Sequence, residues 1–205
     1  IDDMYTAGKD KTIAVLASHP NFEIRVFNPF SGRSAFSRMF DWVTDFSRVN
    51  RRMHNKMFVA DGAAGIVGGR NVGDEYFSAR EDVNFADIDL LAVGPVVTEI
   101  EGVFDAYWNS ASAWPIEAFV PEEPAPGELD NVSRGLAAHR EESRDTPYAV
   151  RLRESDLAAH LGKGDLPFLW GQARVVYDDP GKIAGDGPTP AEGTWWGSLR
   201  NEVGE

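Results

Sequence analysis

The sequence contains no cysteine, which excludes disulfides and thiolate metal sites and is compatible with a reducing compartment without establishing one. It contains no run of about 18 apolar residues, so nothing in it reads as a bilayer-spanning helix. No secretory signal pattern is read at its start. Basic residues are scarce, with 20 Lys and Arg against 33 Asp and Glu and a formal net charge of −13. Proteins that grip nucleic acid through its phosphates show a basic face, so no nucleic-acid partner is favoured. The same deficit argues against adhesion of the whole surface to anionic membranes, while a local basic patch remains compatible with it. Histidine is sparse too, at four residues. No clustered His/carboxylate ligand set is found, so no metal and no other cofactor is expected.

What is present is an ordinary globular composition, 42% hydrophobic and 26% charged over 205 residues. That length suits one domain, or one with an appendage, and suffices to bury roughly 70% of the surface of the unfolded chain. The coarse pattern is α/β. "KDKTIAVLASH" reads as a helix and "FEIRVFNPF" as a strand, with Ile24 and Val26 opposite Arg25 and Phe27. "SAFSRMFDWVTDFSRV" places Phe36, Met39, Phe40, Val43 and Phe46 at helical spacing behind a cap at Ser34 or Ser31. "HNKMFVAD" and "AAGIVGG" are short strands joined at Asp61-Gly62, a strong hairpin signal. "DIDLLAVG" is a further strand, and Pro95 opens the helix "PVVTEIEGVFDAYWNSA". After Phe119 the Pro- and Glu-rich "VPEEPAPGE" reads as a linker. Beyond it come a polar helix near "ELDNVSRGLAAHREE", a strand "QARVVYDD" and a loop "PGKIAGDGPTP". The opening "IDDMYTAG" and the closing "WWGSLRNEVGE" both read as cuts in a longer chain, the latter as the first turns of a helix.

One stretch resists a purely structural reading: "RRMHNKMFVADGAAGIVGGRN", residues 51–71. On a strand, residues two apart share a face, so His54 and Lys56 project together while Met53, Asn55 and Met57 point the other way. A hairpin at Asp61-Gly62 returns "GIVGGRN" alongside, bringing Asn71 and the Gly68-Gly69 backbone toward the same spot. Glycine allows close approach to the main chain. An imidazole beside an ammonium, an amide and exposed N–H groups suits an anion with a reactive centre, and phosphate is the natural candidate.

The spacing H-x-K, four residues, D, six residues, G-G-x-N resembles the HKD motif of the phospholipase D superfamily, filled here by His54, Lys56, Asp61, Gly68, Gly69 and Asn71. "HPNFEIRVFNPF", "RRMHNKMFVADG", "GGRNVGDEYF", "FADIDLLAVGPVV" and "YWNS" look like the bacterial cardiolipin synthases of that superfamily, and "LPFLWGQARVVYDDPGK" resembles the segment between the two halves in one subgroup of them. The resemblance implies an α-β-α sandwich, a mixed β-sheet flanked by helices, followed by a helical or irregular inter-half segment. Residues 1–119 would form the catalytic half-domain, and 120–205 the linker leading toward a second half. It implies that His54 is the nucleophile forming a phosphohistidine, or else the acid that protonates the leaving alcohol. Lys56, Gly69 and Asn71 would hold the phosphoryl oxygens. Asp87 would orient the histidine, and Asp61 would hold the hairpin. Glu75 is acidic and close in sequence to the motif, without an assigned role.

Relatives with this layout carry two such motifs; here His19, His139 and His160 have no Lys two residues on. The expected activity is phosphatidyl transfer between phosphatidylglycerol-like phospholipids, at the inner face of the bacterial cytoplasmic membrane, in partnership with a second half or a second copy. A phosphodiesterase or nuclease working as a homodimer, and a catalytically incomplete half-domain, are the alternatives. The structural readings stand beside the functional ones. Asp87 and Asp89 could simply begin a strand. "FSRMFDW" reads as helix core, not a lipid slot, and packing is the commoner role for Trp108 and Trp114. The cluster of Arg48, Arg51, Arg52 and Lys56 is either a solvated charge run or a receiver of anionic headgroups, with Arg51 and Arg52 as the candidate headgroup contacts.

Overall fold

The computed structural model describes residues 1–183 apart from 7, 73–86 and 121. Within them the elements run α1 (Asp10–Ala17), β1 (Arg25–Phe27), α2 (Ala35–Thr44), α3 (Phe46–Val49), β2 (Lys56–Ala60), β3 (Ala64–Gly68), β4 (Asp89–Val93), α4 (Val96–Trp108), β5 (Ala113–Pro115), α5 (Glu128–Glu142), α6 (Pro147–Arg153) and α7 (Asp156–Lys163). The α/β class expected from the pattern is the class observed. Its strands fall into two antiparallel sheets, β1–β5 and β2–β3–β4, with one isolated parallel bridge between Asp2 and Phe27.

Local chemistry explains most boundaries. Ser34 caps α2, its side chain accepting from the Ser37 N–H. Pro95 sits immediately before α4, where a missing N–H costs nothing. The β2–β3 connection has positive φ at both Asp61 (52°) and Gly62 (63°), and the Ala63 N–H donates to the Ala60 carbonyl at 2.9 Å. That is the left-handed pair a type I′ turn requires, and Asp and Gly tolerate it.

The three-stranded sheet packs one face on α4. Gly65 lies directly beneath Ile100, so closely that a β-carbon there would meet the Ile100 side chain at 2.9 Å. Val97, Ile100, Val103 and Tyr107 of α4 are buried. Met53 and Met57 pack against the Phe27–Val103–Tyr107 cluster, on the face opposite Lys56, as strand alternation demands. A second cluster of Ala14, Val26 and Ile116 ties α1 to the β1–β5 pair. The other face of the three-stranded sheet carries Phe58, Ile66 and Leu91 in one cross-strand row, all exposed.

Residues beyond 120 fold back onto this unit. Lys11 pairs with Glu128 at 2.9 Å, and the Tyr107 hydroxyl donates to the Asp178 carbonyl at 2.7 Å. "QARVVYDD" forms no strand, contrary to its alternation. Its Val175 N–H donates to the Glu99 carboxylate at 3.0 Å, while its Val175 side chain covers the Phe27–Tyr107 cluster. The segment is held by α4 side chains, where a strand would be held by a backbone ladder.

The larger correction concerns α2. Its periodic residues are not core: Phe36, Met39, Phe40 and Val43 are 74%, 59%, 59% and 78% exposed. The polar face turns inward. Asp41 is buried and accepts from the Ser31 N–H at 2.6 Å, and Arg38 reaches Asp3 and lies over the Phe30 ring at 4.8 Å. Trp108, by contrast, does pack, with the Arg25 guanidinium over its ring at 4.4 Å and Phe104 stacked on it. Trp114 is half exposed. The closing "WWGSLRNEVGE" lies outside the described residues.

Candidate functional site

The site is assembled by register. Lys56 of β2 pairs with Gly68 of β3, and Gly68 with Asp89 of β4. The antiparallel order therefore sends His54, the chain after Gly69, and Asp87 past the same end of the sheet. The backbones of β2 and β4 stand about 10 Å apart there, two strand spacings, with β3 between them. His54 is exposed, and Lys56 Nζ donates to the His54 carbonyl at 2.8 Å, so an ammonium sits beside the histidine. Asn71 follows Gly69 by two residues and is half-buried.

The glycine pair has a reason that spacing did not reveal. A β-carbon on Gly68 would overlap the Asp89 carboxylate, and one on Gly69 would overlap both carboxylate oxygens of Asp87. The glycines admit Asp89 of β4 and Asp87, two residues ahead of that strand, to the motif end of the sheet, whatever substrate does there. Asp87 also accepts from the Ile88 N–H at 2.8 Å. Arg70, which sequence reading passed over, clamps β3 to β4. Its Nη2 donates to the Asp87 carbonyl at 2.9 Å and its Nε lies 3.0 Å from Asp89 Oδ2.

Asp61 lies elsewhere. It occupies the β2–β3 turn, five residues from Lys56 and beyond the far end of β2, whose length from Lys56 to Ala60 is itself about 13 Å. It shapes the hairpin from the end opposite His54. Arg52 is buried and points inward, its Nη1 3.0 Å from the Asn28 carbonyl and 3.4 Å from Asp2 Oδ1, its guanidinium over Phe30 at 4.5 Å. Arg51 is half-buried. Glu75 lies outside the described residues. Among the described residues no group of three or more His, Cys, Asp or Glu could hold a metal ion.

A polar scaffold delivers His54 to the sheet. Asn28 is buried with φ at +49°. Its Nδ2 donates to the carbonyls of Arg48 (3.0 Å) and Arg51 (2.9 Å), and its Oδ1 accepts from Arg48 Nη1 at 2.8 Å. Asp2 accepts from the Met53 N–H at 3.0 Å. Asp3, fully buried, accepts from Arg33 Nη1 at 2.7 Å, from the Thr6 hydroxyl and from the Phe30 N–H at 2.8 Å. Burial alone would push the Asp3 carboxyl up; the hydrogen bonds from Arg33, Thr6 and Phe30, with the Arg33 charge, outweigh it and hold the group below the usual carboxylate range. The Asn-Pro dipeptide at 28–29, ending a strand, is the sequence signal that could have exposed this hub.

Compared with known proteins, the chain is 41% identical over 187 residues to cardiolipin synthase C of Escherichia coli, covering 90% of this chain and 38% of that protein. It is 31% identical over 186 residues to an uncharacterized protein of Helicobacter pylori, covering 89% of this chain and 36% of that one. Against cardiolipin synthase A of Pseudomonas fluorescens it is 36% identical over 85 residues, 40% of this chain and 18% of the relative. The chain thus spans under two fifths of the length of the curated relatives it matches. No family model and no solved structure matches it.

Proposed function

This chain is a cardiolipin synthase-like member of the phospholipase D superfamily, and on that premise we propose that it is the single-motif half of a phosphatidyltransferase acting on phosphatidylglycerol-like lipids. The observation that supports the reading is register: the antiparallel ladder sends the segments carrying His54, Lys56, Gly69 and Asp87 to one end of the β2–β3–β4 sheet, with Asn71 two residues beyond Gly69.

The chemistry follows from what those groups are. One imidazole nitrogen attacks phosphorus of the donor lipid, and the bond from phosphorus to the headgroup alcohol breaks. The departing alkoxide takes a proton from a second imidazole on the opposite side. The resulting phosphohistidine then meets an acceptor hydroxyl, on another phospholipid or a glycerol-bearing headgroup. The second imidazole removes the acceptor's proton, the P–N bond breaks, and the first histidine is freed. His54 serves as nucleophile or as acid, and the other imidazole comes from a second half or a second copy. Lys56 and Asn71 neutralise and hydrogen-bond the phosphoryl oxygens as charge builds there, while Asp87 orients His54 and stabilises its charged form. Arg51 is the candidate headgroup contact that the fold leaves nearer the surface.

The exposed row of Phe58, Ile66 and Leu91 supports an absent partner, since these residues share the sheet face of Lys56. The greater length of the relatives favours a second half over a second copy. The site would work at the inner face of the bacterial cytoplasmic membrane; among the described residues no helix is long and apolar enough to cross one. The stereochemical course tests the two-step scheme. With a donor made chiral at phosphorus, two successive in-line displacements give retention of configuration, and inversion would refute the covalent intermediate.

A further inference from the structure

We propose that Tyr107 is a positioning residue for the reaction: its hydroxyl links the segment around Asp178 to the stretch His54–Lys56, an inference that rests on the reading of His54 as a reacting group. Three parts of the chain meet at this one side chain. Phe27 lies against the ring, with centroids 5.0 Å apart. The hydroxyl donates to the Asp178 carbonyl at 2.7 Å, and Val175, three residues earlier, covers the same cluster. Met53 and Met57 also pack on that cluster, and they bracket Asn55, the middle residue of His-Asn-Lys. Asn55 Nδ2 is buried and completes no hydrogen bond of ordinary length and angle. The group it approaches is the Tyr107 hydroxyl, toward which it acts as a donor.

The link matters because the reacting groups do not fix their own backbone. His54 is exposed, and Lys56 Nζ turns back to the His54 carbonyl. The stretch is held from behind, through Met53, Asn55 and Met57. Thioether side chains fill space without imposing direction, so among these three the amide is the directional group. Packing alone does not call for a hydroxyl at 107, since a phenyl ring would stack on Phe27 equally well. Nor is the hydroxyl an acid or base. Burial above all, then the Asp178 charge and to a lesser degree Asp179 and Tyr177, push the phenol well above its ordinary range against the opposing Asn55 amide. It stays neutral at working pH, giving its proton to Asp178 and leaving its oxygen to Asn55. The Asp178 segment is itself anchored to α4 by a second bond, from the Val175 N–H to the Glu99 carboxylate at 3.0 Å.

The test uses the complete protein carrying Tyr107→Phe, which keeps the ring and removes only the hydroxyl. Turnover of phosphatidylglycerol should fall about 10- to 100-fold with KM within about twofold, because a misplaced histidine leaves the phosphate donors where they were. The factor should be the same from about pH 6 to about pH 9, since no titrating group is lost. Asn55→Leu should cost the same, and the double variant no more than about twofold beyond either single one, as for two ends of one link. Val103→Ala, in the same cluster but without a polar group, should lower the thermal midpoint and leave turnover below that midpoint at the wild-type level. Amide exchange needs no catalysis: in Tyr107→Phe, segments 53–57 and 173–178 should exchange about three- to tenfold faster, the worth of one hydrogen bond, with α1 unchanged. Faster exchange there in a protein without phosphatidyl transfer would uphold the link and refute only the reading of His54. Turnover of Tyr107→Phe within about twofold of wild type would overturn the proposal, as would multiplicative losses in the double variant or unchanged exchange at 53–57. Should Tyr107→Phe fail to fold, normal turnover by Asn55→Leu overturns it.

Discussion

Replacing Asn28 by Ala probes how the histidine is held, because Asn28 touches neither His54 nor Lys56 yet fixes the segment that precedes them. The substitution removes three hydrogen bonds, two donated to the Arg48 and Arg51 carbonyls and one accepted from Arg48 Nη1. At a net of about 0.5–1.5 kcal/mol each, they total about 1.5–4.5 kcal/mol. The φ of +49° adds about 1–2 kcal/mol for a residue with a β-carbon and no local hydrogen bond to offset it. A loss of about 2.5–6.5 kcal/mol is expected, read as a fall in the urea midpoint at constant m-value. In a chain of this size the thermal midpoint should drop by about 2–4 °C per kcal/mol. Below the new midpoint, turnover in the complete protein should fall more than substrate affinity, since His54 loses placement while the phosphate donors keep theirs. A folded Asn28→Ala protein with stability within about 1 kcal/mol of wild type would refute the role assigned to this hub.

The Asp3 carboxylate makes stability depend on acid. Its folded value lies below the ordinary one, so its contribution is present above the unfolded carboxylate range and is lost as pH falls through the folded value, below about pH 4. In urea titrations from pH 7 to pH 3, the gap between wild type and Asp3→Asn should be widest at neutral pH and should close in acid; a constant gap would contradict the assignment. Lys56→Ala and Asn71→Ala should each cost about 10²–10³-fold in kcat/KM with the thermal midpoint unchanged, and near-normal kcat/KM would put the phosphate elsewhere. The 205-residue chain on its own should fold without catalysing as a monomer, because one motif supplies one imidazole; mass in solution measured alongside phosphodiesterase turnover decides it, and a monomer cleaving at enzymatic rates would refute it.

The motif was legible because its residue types are chemically unusual on a strand and its turn has only one cheap solution. Asp61-Gly62 announces a left-handed pair and so the hairpin, while the ladder pairs Ala60 with Ala64 and Lys56 with Gly68, one residue beyond the register of a bare two-residue turn. The helix after Pro95 and the polar helix Glu128–Glu142 were legible from capping, composition and periodicity. The direction in which α2 turns was not, because periodicity locates an apolar stripe on a helix and is silent on whether that stripe meets protein or solvent. Nor was the real neighbour of the glycine pair, since Asp87 and Asp89 arrive from a strand some twenty residues away along the chain. "QARVVYDD" failed as a strand for a related reason. Its alternation was right for burying Val175, but the partner was the side of α4.

The central claim is that His54 is a reacting group in phosphatidyl transfer, and the most direct measurement is turnover of phosphatidylglycerol in vesicles by the complete protein carrying His54→Ala. Either role, nucleophile or proton donor, requires a loss of at least about 10²–10⁴-fold, with vesicle partitioning and thermal midpoint unchanged because His54 is exposed and bears no core contact. Product formed by a folded His54→Ala protein at a rate within about tenfold of wild type would contradict the account.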